Sequence, residues 1–245
     1  MKRALLASLT CFCLLLPQSF AGAAEPLPAS PVPPPQAVSP DTGTEAQGVK
    51  ELLTVAADRA VRAVARLDGF ARNSSLRIGM PSDLEHLPTY IAKYGYQPQI
   101  DAFILSLNRA AEKGATKAAP LFVEAIRETA FDTPGKILSG GDTAATDYFR
   151  GKNSEKLYNA LKPAIAAEMA EAGVLRAYRE MLAKYDEESV LVFPVDKWDF
   201  DMEGYVTGKT LDGLFATMGG EEKRIRKEPA ARTTELLRQV FGAPQ

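Results

Sequence analysis

The chain has two cysteines and one histidine in 245 residues. Both cysteines, Cys11 and Cys13, lie in an amino-terminal apolar stretch with the marks of a leader. Once that stretch is removed no thiol remains, which excludes disulfides, thiolate metal sites and a cysteine nucleophile. With His86 as the sole imidazole, zinc centres of the common nitrogen and sulfur types are excluded too. A Ser-His-Asp triad would have to use His86, and no nucleophile elbow accompanies it. His86 is read as a surface residue early in a capped helix. No Walker loop, dinucleotide glycine turn or calcium-loop spacing occurs, so no cofactor and no metal is expected.

What is present begins with Lys2 and Arg3, an uncharged, mostly apolar run from Ala4 to Leu16, and the small-x-small triplet Ala21-Gly22-Ala23. This is the pattern of a secretory signal peptide over residues 1–24, with cleavage near Ala23 and delivery to the periplasm. The run is shorter than the roughly 20 apolar residues that span a bilayer, so no transmembrane span is expected in the mature chain. Neither cysteine has the small residue before it that a lipid-anchor site uses. Residues 25–47 carry Pro26, Pro28, Pro31, Pro33, Pro34, Pro35 and Pro40. They are expected to form a disordered, polyproline-like tether.

Residues 48–242 are enough for one domain with a sizeable core. Loss of the leader removes Lys2 and Arg3 and no acid, leaving 27 basic against 31 acidic residues, a net charge of −4 with His86 neutral. That balance argues against nucleic acid as a partner and shows no polybasic stripe for anionic lipid. Periodicity is helical almost throughout, as in Val49, Leu52, Leu53, Ala56, Ala60, Val61, Val64 and Leu67. Further helices are expected from Ser82 to Gly95, with Pro88 kinking it, from Gln97 to Lys113, and through Leu121 to Thr129. A short one follows Thr133-Pro134, and another runs from Asp142 to Arg150. Asn153 then caps a longer helix bent at Pro163, Gly173 divides it from one over Val174 to Tyr185, Asp201 caps the penultimate helix, and Pro229 opens the last. The one strand-like run, Ser189 to Val195, has no partner run and is expected as buried loop. The fold class is therefore all-α: a single compact multi-helix domain after a signal peptide and a proline-rich linker.

Two constellations could carry chemistry. Gly140-Gly141-Asp142 joins glycines that are free to adopt positive φ to a helix amino terminus, a turn that can hold an anion. Alternatively, Asp142 caps the helix itself. The second is a set of polar residues among core positions: Asn108 and Glu112 share a helix face with Arg109 beside them, and Lys209 and Asp212 are three apart on the penultimate helix. If Arg109, Glu112, Asp142, Lys209 and Asp212 converge, they form either a buried ionic lattice that fixes helix packing or the floor of a ligand pocket. The run from Glu221 to Glu228 is read as a solvated helix face.

The segments NRAAE at 108–112, GGDTAATDYFR at 140–150, KTLDGLF at 209–215 and EEKRIRKEPAARTTELLRQVFG at 221–242 resemble, in order and spacing, the bacterial exported proteins of domain-of-unknown-function family 4197. The resemblance covers about 49–242. It implies an exported, all-helical domain and brings no activity, ligand or catalytic residue with it. The expected function is a non-enzymatic periplasmic helical protein that binds a partner protein of the envelope or a small or lipid-like ligand. The alternative is an anion-binding or carboxylate-based enzyme site around the Gly140-Gly141-Asp142 turn.

Overall fold

A computed structural model describes residues 42–85, 92, 93, 95–188 and 200–242. The leader, most of the linker, His86, Pro88 and the Ser189 to Val195 run lie outside the described residues. The described residues form eight α-helices and two 3-10 turns joined by turns and loops, with no strand. They are α1 Thr42–Val64, α2 Gln97–Ala115, α3 Ala118–Glu128, α4 Pro134–Leu138, α5 Ala144–Glu171, α6 Val174–Glu188, α7 Met202–Lys227 and α8 Glu235–Gly242. The all-α expectation holds.

Helix α1 starts at Thr42, so the last residues assigned to the linker are helical. Its apolar stripe, from Val49 and Leu52 to Val61 and Val64, is buried as its spacing requires. The helix is closed by Asp68, which takes φ +66°, and by Gly69, where a Cβ would stand 2.2 Å from the Val64 carbonyl oxygen. This turn throws Phe70 into the core, where it is fully buried. The Phe70 ring lies against Gly213 of α7, at which a Cβ would come within 2.5 Å of the ring.

Helix α7 is the axis of the bundle, with α1, α2 and α5 packed on it. Helix α2 also packs on α5 and α6, the short α3 and α4 bridge α1 and α5, and α8 lies on α1. The centre is aromatic: Phe122 of α3, Phe149 of α5 and Phe215 of α7 meet with ring centroids 5.4 to 6.2 Å apart.

Several expected boundaries move. The helix from Asp142 to Arg150 and the one capped at Asn153 are a single helix, α5, with Pro163 inside it. Asn153 is not a cap. It is buried in mid-helix, and its amide donates to Thr129 Oγ1 at 3.0 Å and to the Phe149 carbonyl at 3.1 Å; a tertiary partner meets the need that read locally as a helix start. Pro229 opens only a 3-10 turn, Pro229–Ala231, and α8 begins at Glu235. Asp201 caps α7 as expected, accepting the Gly204 amide at 2.7 Å.

Candidate functional site

Asn108, Arg109 and Glu112 do come together, on one face of α2. Asn108 is fully buried. Its Oδ1 accepts the Ile78 amide at 2.9 Å, and its Nδ2 donates to the Ile78 and Ile104 carbonyls at 2.8 Å each. One turn on, Glu112 Oε1 accepts the amides of Phe70 and Ala71 at 3.1 and 3.0 Å. Its Oε2 takes Arg109 Nη1 at 2.6 Å, and Arg109 Nη2 continues to Asp68 Oδ1 at 2.8 Å. These bonds, with Glu112 first, hold the Arg109 pKa above its ordinary value. α2 thus pins the segment from Asp68 to Ile78, whose amides have no ladder or helix partner at these positions, by side chains alone.

The turn at Gly140 and Gly141 is wired differently from the expectation. Neither glycine is among the described residues with positive φ. Asp142 does not cap α5; its carboxylate binds Lys227 at 2.8 Å and Lys223 at 3.5 Å on α7. Those lysines, Lys227 first, hold its pKa below the ordinary aspartate value. The cap comes from across the bundle. Glu222 Oε1 accepts the Ala145 amide at 2.9 Å and Oε2 the Thr146 amide at 2.7 Å. Arg226 Nε and Nη2 close on Oε1 at 2.8 and 2.7 Å, while its Nη1 and Nη2 also donate to the carbonyls of Leu138 and Ile137 at 2.6 and 3.0 Å. A carboxylate of the protein itself occupies the amides that an added anion would need.

The run from Glu221 to Glu228 is therefore a solvated face only at Lys223, Arg224, Lys227 and Glu228; Glu222 is fully buried and Arg226 nearly so. A signal for this was present. Leu211, Phe215, Met218, Glu222 and Ile225 alternate steps of four and three, so Glu222 sits on the buried stripe of α7. The remaining expected site residues stand apart. Lys209 is exposed and lies over the Tyr205 ring, and Asp212 pairs with Arg150 at the surface. Arg109, Glu112, Asp142, Lys209 and Asp212 do not form one lattice. Among the described residues no cluster of three or more His, Cys, Asp or Glu side chains could hold a metal ion.

An apolar groove of about 370 Å³ opens where α5, α6 and the start of α7 meet. It is lined mainly by Met169, Val174, Leu175, Tyr178, Phe200 and Met202, with Glu203 as its charged residue. Leu175 is 57 % exposed. Burial raises the Tyr178 hydroxyl pKa, so the groove presents a neutral phenol. No helix of the described residues is long and apolar enough to cross a membrane.

The sequence model of the family described as "Protein of unknown function (DUF4197)" matches residues 39–242. No curated protein and no solved structure matches the chain.

Proposed function

This chain belongs to the DUF4197 family, and from that premise we propose that it is an exported, periplasmic, non-enzymatic binding protein whose ligand is a small apolar, lipid-like molecule held in the groove between α5, α6 and α7. The supporting observation is the groove itself. At about 370 Å³ it falls within the roughly 300–1,000 Å³ usual for small-ligand sites, and a mostly apolar lining with one or two polar groups is the common composition of such sites. Met169 and Met202 add adaptable contacts, and the Tyr178 phenol with the Glu203 carboxylate would orient a polar end.

Native mass spectrometry of the protein recovered from periplasm tests this. The expected result is a chain beginning close after Ala23 and carrying a chloroform-extractable adduct. The variant Leu175→Asp, at a position exposed enough to leave folding intact, should lose the adduct. A bare chain, with a partner protein captured by crosslinking instead, would replace the ligand reading by the partner reading.

A further inference from the structure

A larger cleft, about 510 Å³, lies at the carboxyl end of α1, between that helix, the turn that follows it and Thr217 of α7. It is far from apolar: Arg66, Asp68, Arg72, Asn73 and Ser74 line it, and Leu67, 74 % exposed, stands among them. The segment from Asp58 to Arg77 holds five arginines and two aspartates in a chain whose net charge is −2, so positive charge is concentrated here against the overall balance. Two of these arginines are committed elsewhere: Arg59 donates to the Ala231 carbonyl and pairs with Glu221, and Arg62 pairs with Asp58.

Asp68 is a locally costly choice for its position. A residue in the left-handed region just past a helix is ordinarily glycine or asparagine, and a carboxylate at that end faces the negative pole of the helix dipole. Its two oxygens are taken by arginines, Oδ1 by Arg109 at 2.8 Å and Oδ2 by Arg72 Nε at 3.2 Å. Because Arg72 is tethered through Nε, both its Nη groups remain available. The charges of Asp68 and Glu112 are balanced by those of Arg72 and Arg109, and Arg66, which has no ion-pair partner among the described residues, adds one uncompensated positive charge at the cleft.

We propose that this cleft is an oxyanion site, taking a phosphate or carboxylate group on a larger organic molecule, with Arg66 and Arg72 as its ligands and Asp68 as the positioning residue for Arg72. Guanidinium forks suit both anions because two parallel N–H donors match two oxygens. The volume exceeds what a bare anion needs, and Leu67 supplies an apolar contact for the remainder. This site is distinct from the groove, and either can fail without the other.

Calorimetric titration of the full mature chain with inorganic phosphate, and separately with phosphatidylglycerol or phosphatidylcholine vesicles, tests it. Saturable binding of phosphate, or of the anionic vesicles alone, should fall about tenfold or more in Arg66→Gln and in Arg72→Gln, the loss expected for a charge-assisted bond. It should be unchanged in Arg62→Gln. Asp68→Asn should weaken binding in the wild-type background and have no further effect in Arg72→Gln; loss of stability alone would not produce that coupling. Binding to phosphate identifies a soluble ligand, and binding to anionic vesicles alone identifies a lipid headgroup. No binding to either, or equal binding by the Arg66, Arg72 and Arg62 variants, overturns the proposal, provided the melting temperatures show all three folded.

Discussion

Two glutamates in this bundle, Glu112 on α2 and Glu222 on α7, do the same work with different surroundings. Each is buried, accepts two successive backbone amides from a segment of another element, and is paired with an arginine within one turn of its own helix. The carboxylates are nearly alike in exposure, at 4 % and 0 %, but their partners differ: Arg109 is 29 % exposed and Arg226 8 %. Arg109 also has Asp68, a second anion, and water. Among the described residues Arg226 has, besides Glu222, the Ile137 and Leu138 carbonyls and the face of the Phe241 ring, and no second anion. What a buried carboxylate is worth therefore depends on what its cation would be left with, more than on its own burial.

The sharpest way to break the comparison is to remove each carboxylate. Glu222→Ala strands a buried guanidinium and uncaps α5, so it should cost about 3–5 kcal/mol, the range for breaking a buried pair from one side. Glu112→Ala leaves Arg109 with Asp68 and solvent, and leaves the buried Phe70 amide and the part-buried Ala71 amide without their acceptor. It should cost about 2 kcal/mol. Urea unfolding followed by circular dichroism measures both. Equal losses would mean that the cation's surroundings do not separate the two sites, and the account above would fail. Local consequences should differ as well: hydrogen exchange should quicken at Ala145 and Thr146 in the first variant and at Phe70 and Ala71 in the second.

The same comparison explains what could be read before the fold was known. Helix positions followed from apolar spacing, and the Gly173 break and the Asp201 cap from local chemistry, because those signals lie within a few residues of what they control. Asn108, Arg109 and Glu112 were legible as a group since they share one face of one helix. Their partners were not, because Asp68, Phe70 and Ile78 are reached only through the turn after α1. Glu222 was missed although it lies on the α7 stripe, since EEKRIRKE has the composition of a wet surface and charge count outweighed phase. Asn153 failed in the opposite direction: its type suggested a cap, while its partner, Thr129, came from just past the end of α3. Asp142 and Asp212, grouped by sequence with the α2 residues, each found a basic partner on another helix nearer at hand.

Asp201 carries the wiring of Glu112 and Glu222 into water and should show its smallest effect. Its Oδ1 takes the Gly204 amide and its Oδ2 takes Lys162 Nζ, both at 2.7 Å, with the aspartate side chain 62 % exposed. Lys162 first, then the Gly204 amide, hold the Asp201 pKa below the ordinary aspartate value, and the same pairing holds that of Lys162 above the ordinary lysine value. The aspartate's contribution is therefore complete above its unfolded pKa and is lost as pH falls through the folded one. That of the lysine is complete below its unfolded pKa and is lost as pH rises through the folded one. Asp201→Asn keeps a good helix cap and removes only the charge. The stability gap between wild type and variant should be small and widest near neutral pH, closing below about pH 4 and again above about pH 10. It should also shrink in about 1 M salt, where screening acts within a few ångströms, whereas the Glu222→Ala loss should not. A gap that ignores both pH and salt would assign the effect to the cap and leave the acceptance of backbone amides, not charge pairing, as the common basis of all three sites.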